Sequence, residues 1–391
     1  KEDLENNRIS LKNFSLLTID EAHRSREKFA NTIVAKNYIE FNKKGKILAL
    51  TASPGSTKAK IEEICNNLNI EAVEIRTDKD EDIIEFIQKK EIEYITLELP
   101  EKLKFIHQLI KDVYKERLEG LKNFNINKPI SSITKVDLLL LQKRLQQGAK
   151  SHSTFYGISL VAQLLKLNFA MELVETQGLS SLNDFLNKLS VEETKAAQAI
   201  MKNPNIIKAK DLCRQFLEES IDHPKMEKLK EIIKETINTK KDSRIIIFTT
   251  YRNTVENILK ALNSINITSI KLVGQKEGLT QKKQIESIKD FNSGKYNCLV
   301  TTSIGEEGLH IGEADAAVFY DHTSSTRKIQ RSGRVGRLKP GKITFMITKG
   351  TRDAAYYWKS KKDETRMKGI LYKMKEAPLN ELRKQKNLAE F

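Results

Sequence analysis

The sequence predicts an α/β protein in which two parallel-sheet units flank an all-helical segment. Two observations predict it. Short apolar runs bounded by turn residues alternate with helical patterns up to residue 98 and again from Pro224, as buried parallel strands joined by crossover helices do. Between them, from Leu103 to Glu219, helical periodicity continues with few strand candidates.

Taken in order, Phe14 to Ile19 reads as a strand, Ala30 to Phe41 as a helix, Ile47 to Thr51 as a strand and Ala59 to Leu68 as a helix. The middle segment carries long apolar patterns such as Leu138-Leu139-Leu140-Leu141 and Ile158 to Leu173. Breaks fall at Gly120 to Pro129, Gly148 to Gly157, Gln177-Gly178 and Asn203-Pro204-Asn205, dividing it into about five helices. Strand and helix then alternate again. Arg244 to Thr250 is a strand, and Val255, Ile258, Leu259 and Leu262 stand at i, i+3, i+4 and i+7 of a helix. Ile267 to Val273 is a strand, Gln281 to Phe291 a helix, and Cys298 to Thr302 and Ala316 to Tyr320 are strands. An arginine-rich helix, the strand Ile343 to Thr348 and a helix from Arg352 to Lys375 complete the series. The divisions expected are 1–98, 99–223 and 224–391.

At 391 residues and 39% hydrophobic content the chain can bury packed cores in two or three domains. Its net charge of +16 favours a polyanionic partner, because neutralised phosphates release counterions; a lysine-rich proteome is the alternative source of that charge. Cys65, Cys213 and Cys298 lie far apart without a Cys-x-x-Cys pair, so neither a zinc site nor a disulfide framework is expected. We expect no stretch able to cross a bilayer, hence no membrane partner, and a reducing cytoplasm.

Two segments carry chemistry. The run Phe14 to Ile19 ends in Asp20-Glu21-Ala22-His23, a carboxylate pair at the mouth of a buried strand, where open α/β sheets handle magnesium nucleotides. Residues 326 to 337 set Arg331, Arg334 and Arg337, just after Gln330, at three-residue intervals through a turn punctuated by Gly333 and Gly336. Glycines cost helix stability that a merely solvated basic helix need not lose, so a row of guanidiniums for phosphate is the better reading. Two acids after a strand also cap a following helix well, and the aromatics Tyr356, Tyr357 and Trp358 suit packing of a terminal helix better than base stacking.

In order along the chain stand Asp20 to His23, Thr51-Ala52-Ser53-Pro54-Gly55, Ile247 to Arg252, Thr301 to Leu309 and Gln330 to Arg337. These resemble motifs II, III, IV, V and VI of the superfamily 2 DEAH-box helicases, most closely those of the archaeal Hef and Fanconi anaemia M type. The resemblance covers nearly the whole chain. It implies a RecA-like motor with a partial first lobe (1–98), a helical thumb-like insert (99–223) and a complete second lobe (224–391), using ATP and Mg²⁺ to move on forked or branched DNA, 3′ to 5′. Asp20 is then the Mg²⁺ partner through water, and Glu21 is the general base. His23 pairs with Gln330, and Arg334 and Arg337 are arginine fingers. Thr51 and Ser53 couple hydrolysis to domain movement, and Gly305 and Gly308 let the backbone approach phosphate. Thr249, Tyr251, Arg252, Thr301 and Thr302 contact a nucleic-acid strand, as do Lys143, Arg144 and Lys150 of the insert. His310 departs from the family's aspartate at the ribose contact.

Motif I, the P-loop Gly-x-x-x-x-Gly-Lys-Ser/Thr, does not occur in the sequence. We therefore expect a fragment inactive alone, with the P-loop in a preceding segment of the full-length protein; relatives of this type can also carry a downstream nuclease domain. The rivals are an RNA-directed relative of the innate-sensor or Dicer type and a DNA-binding module without hydrolysis.

Overall fold

The computed structural model describes residues 1–376 apart from residues 7, 28, 78–79, 86–87, 89, 125, 127, 275–279, 303–310 and 322–340. The first unit contains α1 (Glu2–Glu5), β1 (Leu16–Ile19), α2 (Ala30–Phe41), β2 (Lys46–Ala49), α3 (Lys58–Asn67) and α4 (Glu81–Ile84). β1 and β2 pair in parallel. Alternation sends Leu17, Ile19, Ile47 and Ala49 into one core with Ala35, Ile64 and Leu68. The opposite face, with Leu16, Leu48 and Leu50, is exposed.

The next strand overturns the expected boundary at residue 98. β3 (Lys90–Leu97) belongs to the second unit, pairing in parallel along its whole length with β8 (Gly341–Thr348). It escapes sequence reading because it is a half-exposed edge strand, its Glu91 and Glu93 facing water and Lys342. Charged edges are common where a sheet must not pair further.

The insert is all-helical as expected: α5 (Glu101–Glu119), α6 (Lys135–Gln147), α7 (His152–Thr176), α8 (Leu179–Ser190), α9 (Lys195–Met201) and α10 (Pro204–Glu218). That is one helix more than the breaks suggested, and Gly157 lies inside α7, where a Cβ would stand 2.5 Å from the Phe124 ring. α7 contributes its first half to a core with Leu118, Leu121 and Leu138, and its second half to a core with Leu103, Ile106, Leu182 and Ile206. This corrects another expectation. α7 is long and apolar enough to span a bilayer, but it owes that character to being packed by neighbours along both halves.

In the second unit, α11 (Pro224–Thr239), β4 (Ile245–Phe248), α12 (Arg252–Asn263), β5 (Ser269–Leu272), α13 (Gln281–Asn292), β6 (Cys298–Thr301), β7 (Ala316–Phe319) and β8 complete a parallel sheet of order β3-β8-β7-β4-β6-β5. The central strands β4 and β7 are apolar at every position because both faces are covered. Ile245, Ile247, Val300 and Val318 pack beneath α11 and α12, and Ile246, Phe248, Leu299 and Phe319 pack with Ile288 and Phe291 of α13.

The final helix, α14 (Arg352–Glu376), crosses between units. Its start joins the second unit, where Tyr357 meets Tyr94 of β3 edge to face with ring centroids 5.1 Å apart. Its end joins the first, with Met374 buried against Ile61 and Cys65 and Lys375 paired with Glu74 at 2.9 Å. The helix therefore does not belong to residues 224–391 alone. Among the described residues its buried positions Asp353, Ser360, Met367 and Met374 recur every seventh residue, a single stripe that holds a bridging helix on two bodies.

Candidate functional site

β1 delivers Asp20 to the end of the strand, exposed to solvent. Ala22 donates to the Leu50 carbonyl at 2.8 Å and Leu50 to the Ile19 carbonyl at 2.9 Å, so the turn is laced to the end of β2. Glu21 sits in the left-handed region at φ 49°, a conformation that costs a non-glycine residue energy and gathers at functional sites. Its backbone N–H donates to Asp20 Oδ1 at 2.8 Å.

His23 Nδ1 lies 3.2 Å from Thr51 Oγ1 and 3.3 Å from Glu21 Oε2. Burial lowers the His23 pKa, opposed by the Glu21 charge. The Ser53 N–H donates to Thr51 Oγ1 at 3.2 Å, and the buried Ser53 hydroxyl meets Met367 Sδ of α14 at 3.4 Å. Asp20, Glu21, His23, Thr51 and Ser53 thus assemble at adjoining strand ends, and the last of them touches the bridging helix. Asp20 offers the hard carboxylate oxygen that a largely hydrated Mg²⁺ accepts, so the residues present fit that ion. Gly305, Gly308, Gln330, Arg334 and Arg337 lie outside the described residues.

The second-unit candidates for nucleic-acid contact are placed differently from expectation. Thr249 is fully buried, its hydroxyl donating to Asp321 Oδ2 at 2.9 Å; Thr250 adds its own N–H and hydroxyl to the same carboxylate at 2.9 and 2.8 Å. The Thr301 hydroxyl is also buried, on the Leu272 carbonyl at 2.9 Å, and Thr302 is buried beside it. Tyr251 donates to Glu172 Oε1 of α7 at 2.6 Å and meets Phe169 edge to face at 5.7 Å. Burial and the Glu172 charge raise its phenol well above the ordinary range. The Thr249, Thr301 and Tyr251 side chains are therefore spent on internal bonds, since strand ends abutting another domain satisfy their polar groups there. Arg252 opens α12, half-buried. In the insert Lys143 and Lys150 are exposed, and Arg144 donates to the Phe124 carbonyl at 2.8 Å.

Sequence reasoning missed a polar junction behind these residues. Gln177, at the end of α7, donates to Asp321 Oδ2 at 3.1 Å and accepts from Thr254 Oγ1 at 2.6 Å. Next to it Lys225 and Asp353, both buried, form an ion pair, with Lys225 5.4 Å from the Tyr320 ring centroid and Thr348 Oγ1 donating to Asp353 at 3.1 Å. His223 accepts from the Lys225 N–H at Nδ1 (3.2 Å), which places its proton on Nε2, 3.1 Å from the Glu175 carbonyl. Burial and the Lys225 charge hold His223 down at about 3, so it is neutral. Gly178 is required beside this junction: at φ +102°, an added Cβ would stand 2.3 Å from Asp222 Oδ1, the carboxylate that accepts the first N–H groups of α8. A lone Lys or Asp in sequence gives no signal of such a pair.

Comparison with known proteins accords with this arrangement. Residues 224–339 match the helicase conserved C-terminal domain, and residues 102–220 match the helical bundle of an ATP-dependent RNA helicase family. The crystal structure of the Pyrococcus furiosus Hef helicase domain superposes with a TM-score of 0.70 at 38% identity, covering 92% of this chain and 76% of that one. A Methanocaldococcus jannaschii protein assigned as an ATP-dependent RNA helicase is 39% identical over 94% of this chain and 47% of its own length. The ATP-dependent DNA helicase mph1 of Sclerotinia sclerotiorum is 31% identical over 90% of this chain and 31% of its own. The chain thus spans less than half the length of these two relatives. With the family model of the second unit, the helical bundle and the Hef helicase domain matched at this identity and coverage, the chain belongs to the superfamily 2 helicases of the Hef type.

Proposed function

We propose that this chain is the greater part of an ATP-driven DNA motor that works on forked or branched DNA, moving 3′ to 5′. The observation that carries the reading is the bonded cluster of Asp20, Glu21, His23 and Thr51 at adjoining strand ends, together with DNA-helicase relatives. Bound Mg²⁺ and ATP supply the phosphoanhydride and a cation that offsets its charge. Asp20 would hold that ion. Glu21 takes the proton of the attacking water, its carboxylate oriented by the left-handed turn and by His23. Neutral His23 passes the state of the turn to Thr51 and, through Ser53, to Met367. Arg334 and Arg337 stabilise the transferring phosphoryl group.

In this reading the phosphate cradle comes from a segment outside the chain, and the chain alone turns over ATP at no more than background. The exposed face of Leu16, Leu48 and Leu50 supports it, because a parallel sheet buries both faces. The second reading, an RNA-directed motor, rests on the names of the M. jannaschii relative and of the matched helical bundle. Binding of the purified chain to matched fork, duplex, single-stranded DNA and RNA decides between them. Preference for forked DNA is expected, and preference for RNA would overturn the reading.

A further inference from the structure

β3 ends the second unit's sheet, with no strand beyond it among the described residues. Its Leu97 carbonyl accepts from the Lys349 N–H at 2.9 Å, so Glu91, Glu93, Ile95 and Leu97 turn their peptide groups to β8 and the residues between them turn theirs outward. At Ile92 and Thr96 no described residue meets those outward groups. An open row of peptide groups is a template for another strand.

The two faces of this edge differ in chemistry. On one, Ile92 is 50% exposed and Tyr94 41%, and beyond Tyr357 stands Trp358, 63% exposed, its ring centroid 5.1 Å from that of Tyr357. The rings are rooted in the core, Tyr94 stacking on Phe345 at 5.2 Å and Phe345 on Phe319 at 4.4 Å. Lys361 lies 5.7 Å from the Trp358 ring centroid and makes this side unfit for a partner's cations. On the other face a groove of about 330 Å³ opens between β3 and α11, lined by Glu93, Ile95, Glu235 and Lys342. Lys228 and Lys240 in its wall are engaged by Glu231 and Asp315, so Glu91, Glu93 and Glu235 share Lys342, which stands 3.8 Å from Glu91 and 2.9 Å from Glu93. An acidic strip on a chain of net charge +16 repels nucleic acid. It also deters a second copy, because antiparallel pairing of β3 with itself sets like charges against one another.

We propose that the outer edge of β3 takes an extended segment of a partner protein as a further strand of the sheet. Every second residue of that segment is basic and lies over Glu91, Glu93 and Glu235, and the residues between are apolar and lie on Ile92, Tyr94 and Trp358. Main-chain hydrogen bonds supply the affinity, and the alternation selects the partner.

The test uses the purified chain and a synthetic peptide of alternating lysine and valine, as long as the eight residues of β3. Anisotropy of a labelled peptide gives the affinity, and unlabelled peptide is followed by the emission of Trp358, the chain's single tryptophan. The lysine peptide binds and shifts that emission to the blue, and a peptide alternating glutamate and valine does neither. N-methylation of one alternate set of its amides weakens binding roughly 2- to 12-fold for each bond lost, and methylation of the other set leaves it unchanged. Ile92→Pro, which removes an outward N–H and spares the bonds to β8, weakens binding by a similar factor, as does Trp358→Ser. Glu91→Lys narrows the preference for the lysine peptide. Should Ile92→Pro fail to fold, the methylated peptides on the parent chain decide. Absence of binding, equal binding of the lysine and glutamate peptides, or equal loss from both methylated sets overturns the inference. Dimerisation of the parent that Ile92→Pro abolishes would give the edge to a second copy, and displacement of the peptide by duplex DNA would give it to nucleic acid; either overturns it too.

Discussion

Replacing Lys225 by Met removes the cation of the buried ion pair while keeping an unbranched apolar stem of similar volume, so cavity formation contributes little. Asp353 is then left with the Thr348 hydroxyl at 3.1 Å and the Thr348 N–H at 3.4 Å, at 1% exposure. Removing one partner of a buried pair strands the other, at about 3–5 kcal/mol. The loss falls where α7, α11, β8 and α14 meet, because Lys225 also reaches the Thr176 carbonyl at 3.4 Å. Urea denaturation followed by circular dichroism reads that loss. Lys225→Met should lower the stability of the unfolding transition by that amount. Lys225→Met with Asp353→Leu should recover most of it, since replacing both charges removes the stranded carboxylate. A loss below about 1 kcal/mol, or a double variant no better than the single, would refute the claim that the pair stabilises this junction.

Acid should weaken the same junction through His223. Its pKa is about 3 folded against 6.5 unfolded, so the unfolded chain binds the extra proton between those values, and the stability present above pH 6.5 is lost as pH falls. Between pH 7 and 5.5 the parent should lose about 1 kcal/mol more than His223→Gln; below that window Asp222 and Asp353, raised by burial, act in the opposite sense, and equal slopes in parent and variant would show that His223 is not the titrating group. Tyr251→Phe, which loses the bond to Glu172, should cost about 1.5–3 kcal/mol of stability and leave DNA affinity within twofold of the parent; loss of DNA binding with stability intact would return Tyr251 to the nucleic-acid surface.

Local pattern revealed what local chemistry determines. Continuous apolar runs such as Ile245–Phe248 and Cys298–Thr301 read as buried strands because both faces are covered, and the Asp20–Glu21 turn was visible as acids at a strand end. β3 was not, since its Glu91 and Glu93 belong to an edge and its pairing partner lies about 250 residues later. Long-range pairs such as Lys225 with Asp353 or Gln177 with Asp321 leave no periodic trace. Sequence alone does not place Tyr251, because an aromatic after a strand suits a nucleic-acid surface and a domain contact equally. Only its bond to Glu172 separates them. α14 was legible as a helix, but not as one that touches Ser53 of the first unit.

The central claim, that the Asp20–Glu21 turn is the hydrolytic centre of a DNA motor, is tested most directly by ATP turnover in a protein that supplies this chain with the P-loop the proposed reading requires, measured with and without forked DNA. The account predicts turnover stimulated by the fork, and in Glu21→Gln a fall of roughly 10²- to 10⁴-fold with nucleotide binding retained, because the base is removed and Asp20 is not. Full fork-stimulated turnover in Glu21→Gln would contradict it and leave the two acids as a helix cap.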